Sequence, residues 1–186
     1  HEEIKGDLKL LIKQMKNGKE NKDMSHGILF EGDAGSGKTM LARAIAHDAG
    51  VNFINVNASN LVQMYVGVGA MRVRSAFKQA REVAPCVLFI DEIDAVGGKR
   101  GSRGNNTEHE QTINALLTEL DGFSDKGNIL VIAATNRADI LDTALVRSGR
   151  FDRIINVSKP QKWETRQELF DSYLKKQDYP LASDVD

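Results

Sequence analysis

The sequence contains few of the features that hold secreted or membrane-embedded proteins together. Its single cysteine, Cys86, excludes an internal disulfide and fits a reducing compartment, where a cysteine in the apolar run APCVLFI serves as a small buried side chain. The longest apolar runs, such as ILVIAA at 129–134, are far shorter than the ~18 residues that a membrane-spanning helix needs. We therefore expect the chain as given to be soluble.

An excess of charge of either sign is also missing. The 25 basic and 26 acidic residues leave a net charge of −1, so no broad field steers the chain onto nucleic acid or an anionic membrane. Its 186 residues, 41% of them hydrophobic, suffice for one domain with a substantial core. The chain opens on an amphipathic stretch without the layout of a signal peptide, which predicts a piece cut from a longer protein.

Short apolar runs alternate with helical patterns along most of the chain. Apolar residues that recur every three or four positions predict helices between these runs, and also over 2–16 and after Pro160. The runs that predict strands are GILFEG, NFINVNA, CVLFI, NILVIAATN and RIINVS. Strands that alternate with helices, several of them apolar throughout, indicate an α/β fold: a three-layer sandwich whose central parallel sheet is covered by helices on both faces.

The segment GDAGSGKT at 32–39 matches the pattern G-x-x-x-x-G-K-[ST] and lies between a predicted strand and a predicted helix. Its glycines let successive backbone N–H groups form an anion nest, the helix that begins near Lys38 adds its positive dipole end, and the lysine reaches the outer phosphates. Thr39 is then placed to coordinate Mg²⁺. The alternative is a glycine-rich turn with an exposed lysine. The predicted nucleotide-binding residues are Gly32, Asp33, Ala34, Gly35, Ser36, Gly37, Lys38, Thr39 and Met40.

Two later strands end in polar residues. CVLFIDEID delivers Asp91 and Glu92 at the carboxyl end of a buried strand, where open α/β sheets bind ligands. Asp91 can hold Mg²⁺ through water while Glu92 orients and deprotonates an attacking water, although the pair alone is also consistent with a polar turn. Asp94 is interpreted as structural. NILVIAATN ends on Asn136, whose amide can contact the γ-phosphate or the water, although an asparagine after a strand is commonly a turn residue.

These motifs, in this order and followed by RSGRFDR at 147–153, resemble the AAA branch of the AAA+ ATPases over nearly the whole chain. The stretches MYVGVGAMRVRSAFKQAREVAPC, EHEQTINALLTELDGF and ATNRADILDTALVRSGRFDRIINV are most similar to the FtsH-type AAA proteases, which are membrane-anchored and ATP-dependent. The resemblance implies a P-loop NTPase fold, ATP or ADP with Mg²⁺ as ligands, and a hexameric unfoldase that feeds polypeptide to a protease domain.

The resemblance also assigns roles to two arginines near the end of the sequence. Arg150 and Arg153 match the arginine fingers of the family, which reach into the neighbouring subunit's nucleotide site. Without the family, both are interpreted as surface charges that pair with Asp152 or with solvent. With Lys38, Glu92 and Asn136, they complete the predicted catalytic set.

A further match concerns the polypeptide channel of the family. Tyr65, Val66 and Gly67 correspond to the aromatic, apolar and glycine triplet of the central pore loop, which grips an extended polypeptide. On its own, Tyr65 is more typical of a core aromatic. The loop at 97–106 corresponds to a second pore-facing loop.

Departures from the family pattern limit the functions that we expect of this sequence. Residues 1–158 correspond to the large α/β nucleotide-binding subdomain and 159–186 to the start of a truncated helical lid, so we expect the lid and its phosphate-sensing arginine to be missing. The phosphate loop lacks the prolines common in the family, which leaves the anion nest intact and makes the loop less rigid. No H-E-x-x-H occurs, so Zn²⁺ is expected only in a protease domain outside this sequence.

The expected partners follow from the same resemblance. We expect the full-length protein to form a homo- or hetero-hexamer that acts on polypeptide, with a membrane anchor outside this sequence and this domain on the cytoplasmic, matrix or stromal side. Without the lid, we expect the chain itself to be monomeric, to bind nucleotide weakly and to hydrolyse it poorly. Nucleic acid is not expected as a partner, because a basic groove with stacked aromatics is missing. The alternatives are an ATP-regulated assembly module and a nucleic-acid-remodelling AAA+ module.

Overall fold

The computed structural model describes residues 27–61, 67–98, 107–122 and 129–159, together with the single positions 163, 166, 167 and 171. The helices predicted over 2–16 and after Pro160 therefore lie outside the described ranges. So do Tyr65 and Val66 of the predicted pore loop and residues 99–106 of the second one.

The described chain is organised around one sheet of five parallel strands. In spatial order the strands are β2, β3, β4, β1 and β5, and every neighbouring pair is parallel. The strands are β1 Gly27–Glu31, β2 Asn52–Asn57, β3 Cys86–Asp91, β4 Ile129–Thr135 and β5 Phe151–Asn156. All five runs predicted as strands form strands, although the fifth begins at Phe151 rather than at Arg153.

Four helices connect these strands and cover the sheet. They are α1 Lys38–Ala49, α2 Val68–Glu82, α3 Asp94–Gly97 and α4 Thr107–Asp121, and short 3-10 turns lie at Ala58–Leu61 and Ala138–Ile140. Among the described residues, no helix is both long enough and apolar enough to cross a bilayer.

The core forms two apolar layers, one on each face of the sheet. Along β3, Leu88 and Ile90 face the layer built with α2 and α4, whereas Val87 and Phe89 face the layer built with α1. Strand β4 alternates in the same way, and all seven of its residues are buried. A strand covered on both faces must be apolar at every position, which explains the continuous runs in the sequence. The predicted three-layer α/β sandwich is confirmed.

The parallel arrangement places the carboxyl ends of all five strands at one edge of the sheet. Strand β1 continues into the phosphate loop at this edge, β3 ends at Asp91, and β4 ends at Thr135 beside Asn136. Residues that are distant in sequence therefore meet at this edge.

We expect Gly27→Ala to destabilise the fold by about 1–3 kcal/mol. A Cβ at Gly27 would overlap the backbone oxygen of Arg150 where β1 meets β5, and a backbone atom in a sheet cannot rotate away. Gly122→Ala is the control, since its nearest contact would be an ordinary 3.4 Å. The free energy of unfolding, from chemical denaturation, tests this expectation. Equal stability of the two variants would contradict the close approach.

Candidate active site

The phosphate loop leaves β1 as a chain of exposed backbone groups. Gly35 and Gly37 have φ angles of 75° and 95°, in the left-handed region that favours glycine. A Cβ on Gly35 would meet no atom within 4 Å, so the loop is open at this position. Helix α1 begins at Lys38, and its free N–H groups and positive dipole end adjoin the same opening. The geometry is that of an anion nest.

Lys38 holds the loop to the end of β4. Its side chain is buried, and its ammonium group donates to the backbone oxygens of Gly32 at 2.6 Å and Asp33 at 2.9 Å and to Oδ1 of Asn136 at 2.7 Å. Three acceptors match the three protons of an ammonium group. Burial lowers the pKa of Lys38, while the negative charge of Asp91 acts in the opposite direction. The sequence-predicted Lys38 and Asn136 are thus brought together.

Asp91 lies on the other side of the loop, at the end of β3. Its Oδ2 accepts a hydrogen bond of 3.1 Å from the Thr39 hydroxyl, and its Oδ1 accepts one of 3.0 Å from the backbone N–H of Glu92. A hydroxyl and a carboxylate oxygen are the hard ligands that Mg²⁺ prefers. In the part of the chain that the structure describes, no three His, Cys, Asp or Glu side chains form a metal-binding group. Mg²⁺ commonly takes its remaining ligands from phosphate and water, and the Thr39 hydroxyl and the Asp91 carboxylate fit such an ion.

Glu92 has an unusual backbone and two side-chain partners. Its φ angle of 53° is in the left-handed region, which costs a non-glycine residue energy and is found most often at functional sites. Its Oε2 accepts hydrogen bonds of 3.1 Å each from Nδ2 of Asn57 and the hydroxyl of Ser59. Asn57 ends β2 and pairs in register with Asp91. The carboxylate is therefore held at the mouth of the site rather than left free in solvent.

Asn57 and Ser59 are partners that the sequence analysis missed. Asn57 was assigned only to a strand, because the order of strands in the sheet was not known. Once β2 is placed beside β3, the end of β2 must lie beside Glu92. A polar residue at the end of each strand was therefore the available signal, and the strand order was the missing information.

Asp94 supports the neighbouring strand end. Its Oδ1 accepts a 2.7 Å hydrogen bond from the buried hydroxyl of Thr135, whose oxygen in turn accepts the backbone N–H of Arg137 at 2.9 Å. Asn136 lies between Thr135 and Arg137 in sequence, so these two bonds position the backbone on both sides of it. The geometry agrees with the structural interpretation of Asp94.

These elements enclose a cleft of about 390 Å³ at the carboxyl edge of the sheet. All of its lining residues belong to the predicted site. The predicted residues Gly32 and Asp33 do not line the cleft; their backbone oxygens accept hydrogen bonds from Lys38. The lining residues are Ala34, Gly35, Ser36, Gly37, Lys38, Thr39, Met40, Asp91, Glu92 and Asn136.

One atom in the loop indicates a ligand. The hydroxyl of Ser36 is buried without a hydrogen-bond partner, alone among the side-chain polar atoms of the described residues. A buried hydroxyl without a partner costs free energy that an incoming acceptor restores. Together with the N–H nest and the ammonium group of Lys38, this donor fits the phosphate groups of a nucleotide.

Arg150 lies outside the cleft and is hydrogen-bonded to other residues of its own chain. Its Nε and Nη2 bind the two carboxylate oxygens of Asp121 at 2.7 and 2.8 Å, and its Nη1 donates to the backbone oxygen of Ala144 at 2.6 Å. The interpretation from residues alone paired the arginines with Asp152 or with solvent; the partner that Arg150 contacts is Asp121. The hydrogen bond between Arg150 and Asp121 lowers the pKa of the Asp121 carboxyl group and raises the pKa of the Arg150 guanidinium group.

Neither arginine lines the cleft of its own chain. Phe151, which follows Arg150, pairs with Gly27 at the amino end of β1, and Arg153 pairs with Ile28. The phosphate loop begins at the other end of β1, after Glu31. Five residues of strand separate the two ends by roughly 15 Å at about 3.3 Å per residue. The arginines are therefore near the amino edge of the sheet, opposite the cleft.

Gly67 is the one residue of the predicted pore triplet that the structure describes. It precedes α2 with a φ angle of 83°, and its N–H donates to the carboxylate of Glu108 at 2.8 Å. Gly67 does not line the cleft. The roles predicted for Tyr65 and Val66 concern residues outside the described ranges.

Comparison with known families and proteins adds independent information. Residues 28–159 match the family described as ATPase family associated with various cellular activities (AAA). An ATP-dependent zinc metalloprotease FtsH of Lactococcus lactis is 50% identical over 192 residues, covering 100% of this chain and 27% of that protein. FtsH 1 of Phytoplasma mali is 56% identical over 162 residues, covering 86% of this chain and 26% of that protein.

A plant protein shows a similar relationship. The chloroplastic ATP-dependent zinc metalloprotease FTSH 2 of Oryza sativa is 60% identical over 136 residues, covering 72% of this chain and 20% of that protein. The chain thus spans about a quarter of the length of the first two relatives, at 27% and 26%.

The Arg150–Asp121 pair predicts a pH dependence of stability. Because its pKa is lower in the folded state, Asp121 binds a proton less tightly there than in the unfolded chain. The stability from this pair is therefore fully present above the unfolded pKa of about 4 and is lost as the pH falls through the lower folded value. We expect the free energy of unfolding of Asp121→Asn to fall less steeply between about pH 5 and about pH 2.5.

The difference is expected to be at most about 1 kcal/mol, because solvent screens a half-exposed carboxylate. Arg150→Gln should show the same shallower dependence, and the double variant should add nothing further. Chemical denaturation across this pH range is the measurement. A slope for Asp121→Asn equal to that of the unaltered chain would refute the assignment.

Proposed function

Because the chain belongs to the AAA family of ATPases, we propose that it is the motor module of a hexameric unfoldase that feeds polypeptide to a protease domain elsewhere in the protein. The chain is an ATPase domain of the kind found in FtsH zinc metalloproteases. The observation that carries the proposal is one cleft in which the phosphate loop, the acidic end of β3 and Asn136 at the end of β4 meet. Residues 1–158 are proposed as this module and 159–186 as the beginning of a lid.

Each proposed role in ATP hydrolysis uses a contact in the cleft. The backbone N–H groups of the loop bind the phosphates, and the ammonium group of Lys38 exchanges one of its three present acceptors for a phosphate oxygen. The hydroxyl of Ser36 gains the acceptor that it lacks. Thr39 and Asp91 would hold Mg²⁺, which supplies positive charge to the phosphate oxygens when bound. Asn136, already bonded to Lys38, orients the γ-phosphate or the water.

Glu92 is proposed as the general base. A water oxygen attacks the γ-phosphorus while the bond from phosphorus to the β–γ bridging oxygen breaks, which yields ADP and inorganic phosphate. The proton that the water loses passes to the Glu92 carboxylate. Asn57 and Ser59 hold this carboxylate at the edge of the cleft, so they act as positioning residues.

The position of Arg150 and Arg153 supports an oligomer. They lie near the amino edge of the sheet, far from their own cleft, so they can stabilise the transferring phosphoryl group only in another copy. A ring of subunits, each presenting its arginines to the next cleft, meets this requirement. Six such subunits, by analogy with the family, would enclose a channel into which Tyr65, Val66 and Gly67 project.

The remaining features belong to the whole protein. The first two relatives are about four times as long as the region that they share with this chain. These relatives are named as ATP-dependent zinc metalloproteases. We propose that the protein carrying this chain has a zinc protease domain and a membrane anchor outside this sequence. Polypeptide is the proposed substrate, and a net charge of −1 gives no support to nucleic acid as the partner.

Glu92→Gln in the full-length protein is expected to retain nucleotide binding and to lower the ATP turnover number at least about 100-fold. The amide keeps the shape of the side chain and an acceptor for Asn57, but it cannot take the proton of the attacking water. Nucleotide binding by calorimetry and phosphate release together measure the two effects. Glu82→Gln, an exposed change at the end of α2, is the matched control. Turnover by Glu92→Gln at the control rate would disprove the general base.

Tyr65→Ala in the full-length hexamer is expected to stop the unfolding of a folded protein substrate while ATP hydrolysis without substrate continues. The reason is that the cleft is lined by other residues, whereas the proposed grip on polypeptide depends on the aromatic ring. Unfolding of a fluorescent protein and phosphate release are the two measurements.

Normal unfolding by Tyr65→Ala would remove the pore-loop role. Stimulation of hydrolysis by single-stranded DNA and not by an unfolded protein would instead favour the nucleic-acid-remodelling alternative. No stimulation by either would favour the ATP-regulated assembly module.

A further inference from the structure

A buried carboxylate outside the nucleotide cleft joins two helices. Glu108 is the second residue of α4 and is 5% exposed; with Lys38, it is one of two buried charged residues in the described ranges. Its Oε2 accepts the backbone N–H of Gly67 at 2.8 Å, and its Oε1 accepts the backbone N–H of Gly69 at 3.2 Å. Both acceptor oxygens are thus used on the first turn of α2.

These bonds provide acceptors for backbone N–H groups at the start of α2 that have no partner within the helix. The first N–H groups of a helix lack partners within it, and a side chain at the N-cap normally supplies one. The N-cap of α2 is Gly67, which has no side chain, and no side-chain cap is formed there. Glu108 supplies the acceptor from another helix. The positive dipole ends of α2 and α4 both favour a negative charge at this place.

Helices α2 and α4 also pack closely against each other at this point. A Cβ on Gly69 would overlap the Thr112 hydroxyl and the backbone oxygen of Leu61. Thr112 is buried in α4, and its hydroxyl donates to the backbone oxygen of Glu108 at 2.9 Å. Close packing of this kind transmits a displacement of one helix directly to the other.

The location of this junction relates it to the proposed channel. Gly67 is the last residue of the pore triplet and directly follows 62–66, which connects β2 to α2. Glu108 lies one residue beyond 99–106, the greater part of the second predicted pore-facing loop, which connects α3 to α4. One carboxylate therefore lies where both connections enter their helices.

We propose that Glu108 is a positioning residue that fixes Gly67, the last residue of the predicted pore triplet, and with it the start of α2, to the start of α4. This inference rests on the pore-loop role proposed above. Glu108 does not line the cleft, and its action on polypeptide is through Gly67 rather than through contact with ATP.

The test uses the full-length hexamer and measures how many substrate molecules are unfolded per ATP hydrolysed. Glu108→Ala removes both acceptors and is expected to lower this ratio about fivefold or more, whereas Glu108→Gln keeps one acceptor and is expected to have a smaller effect. Glu110→Ala is the matched control, since it removes an exposed carboxylate from the same turn of α4. Hydrogen exchange at the amides of Gly67 and Gly69 should accelerate in Glu108→Ala by at least about tenfold.

Hydrolysis without substrate separates positioning from general damage. If Glu108 acts through the pore loop and not through the cleft, Glu108→Ala should hydrolyse ATP without substrate at the rate of Glu110→Ala while its unfolding per ATP falls. A parallel loss of hydrolysis in Glu108→Ala would mark general damage and overturn the inference. A wild-type ratio or unchanged exchange in Glu108→Ala, while Tyr65→Ala is impaired, would overturn this inference and leave the proposed function standing. Normal unfolding by Tyr65→Ala would instead overturn the pore-loop role, and the present inference with it.

Discussion

The three hydrogen bonds of the Lys38 ammonium group are the interactions on which the candidate site depends. A buried ammonium ion is tolerated only when its protons have acceptors, and two of the three come from the backbone of the phosphate loop. The third comes from Asn136, which belongs to a different strand. Lys38 therefore fixes the loop conformation and the distance from the loop to β4 at once. The parallel sheet makes this possible by placing both strand ends at one edge.

The same topology separates the candidate site from the two arginines. The residues of the cleft lie at the carboxyl edge of the sheet, whereas Arg150 and its partner Asp121 lie at the amino edge. A β1 strand of five residues separates them, and no side chain spans that distance. Under the role proposed for the arginines, a cleft of this chain would receive its arginine from a second copy, and Arg150 would exchange its bonds to Asp121 for that contact. Self-association would allow this without a change of fold.

Much of this could be predicted from sequence, and the exceptions share one cause. The continuous apolar runs of β3 and β4 predicted a doubly covered sheet, and the G-x-x-x-x-G-K-[ST] pattern predicted the loop because its chemistry is local. Asn57, Ser59 and Asp121 were missed because their roles depend on which strands and helices are neighbours. Periodicity reports which face of an element is buried, but it does not report strand order or the partner of a charged side chain.

A contiguous set of contacts connects Glu92 to the buried carboxylate of Glu108. Glu92 is bonded to Asn57 and Ser59, and the 3-10 turn that contains Ser59 ends at Leu61, whose backbone oxygen is packed against Gly69. Gly69 is in turn bonded to Glu108. Each step is a hydrogen bond, a backbone connection or a close backbone contact. The end of β2 therefore lies beside Glu92 and leads directly into the turn that packs against the start of α2.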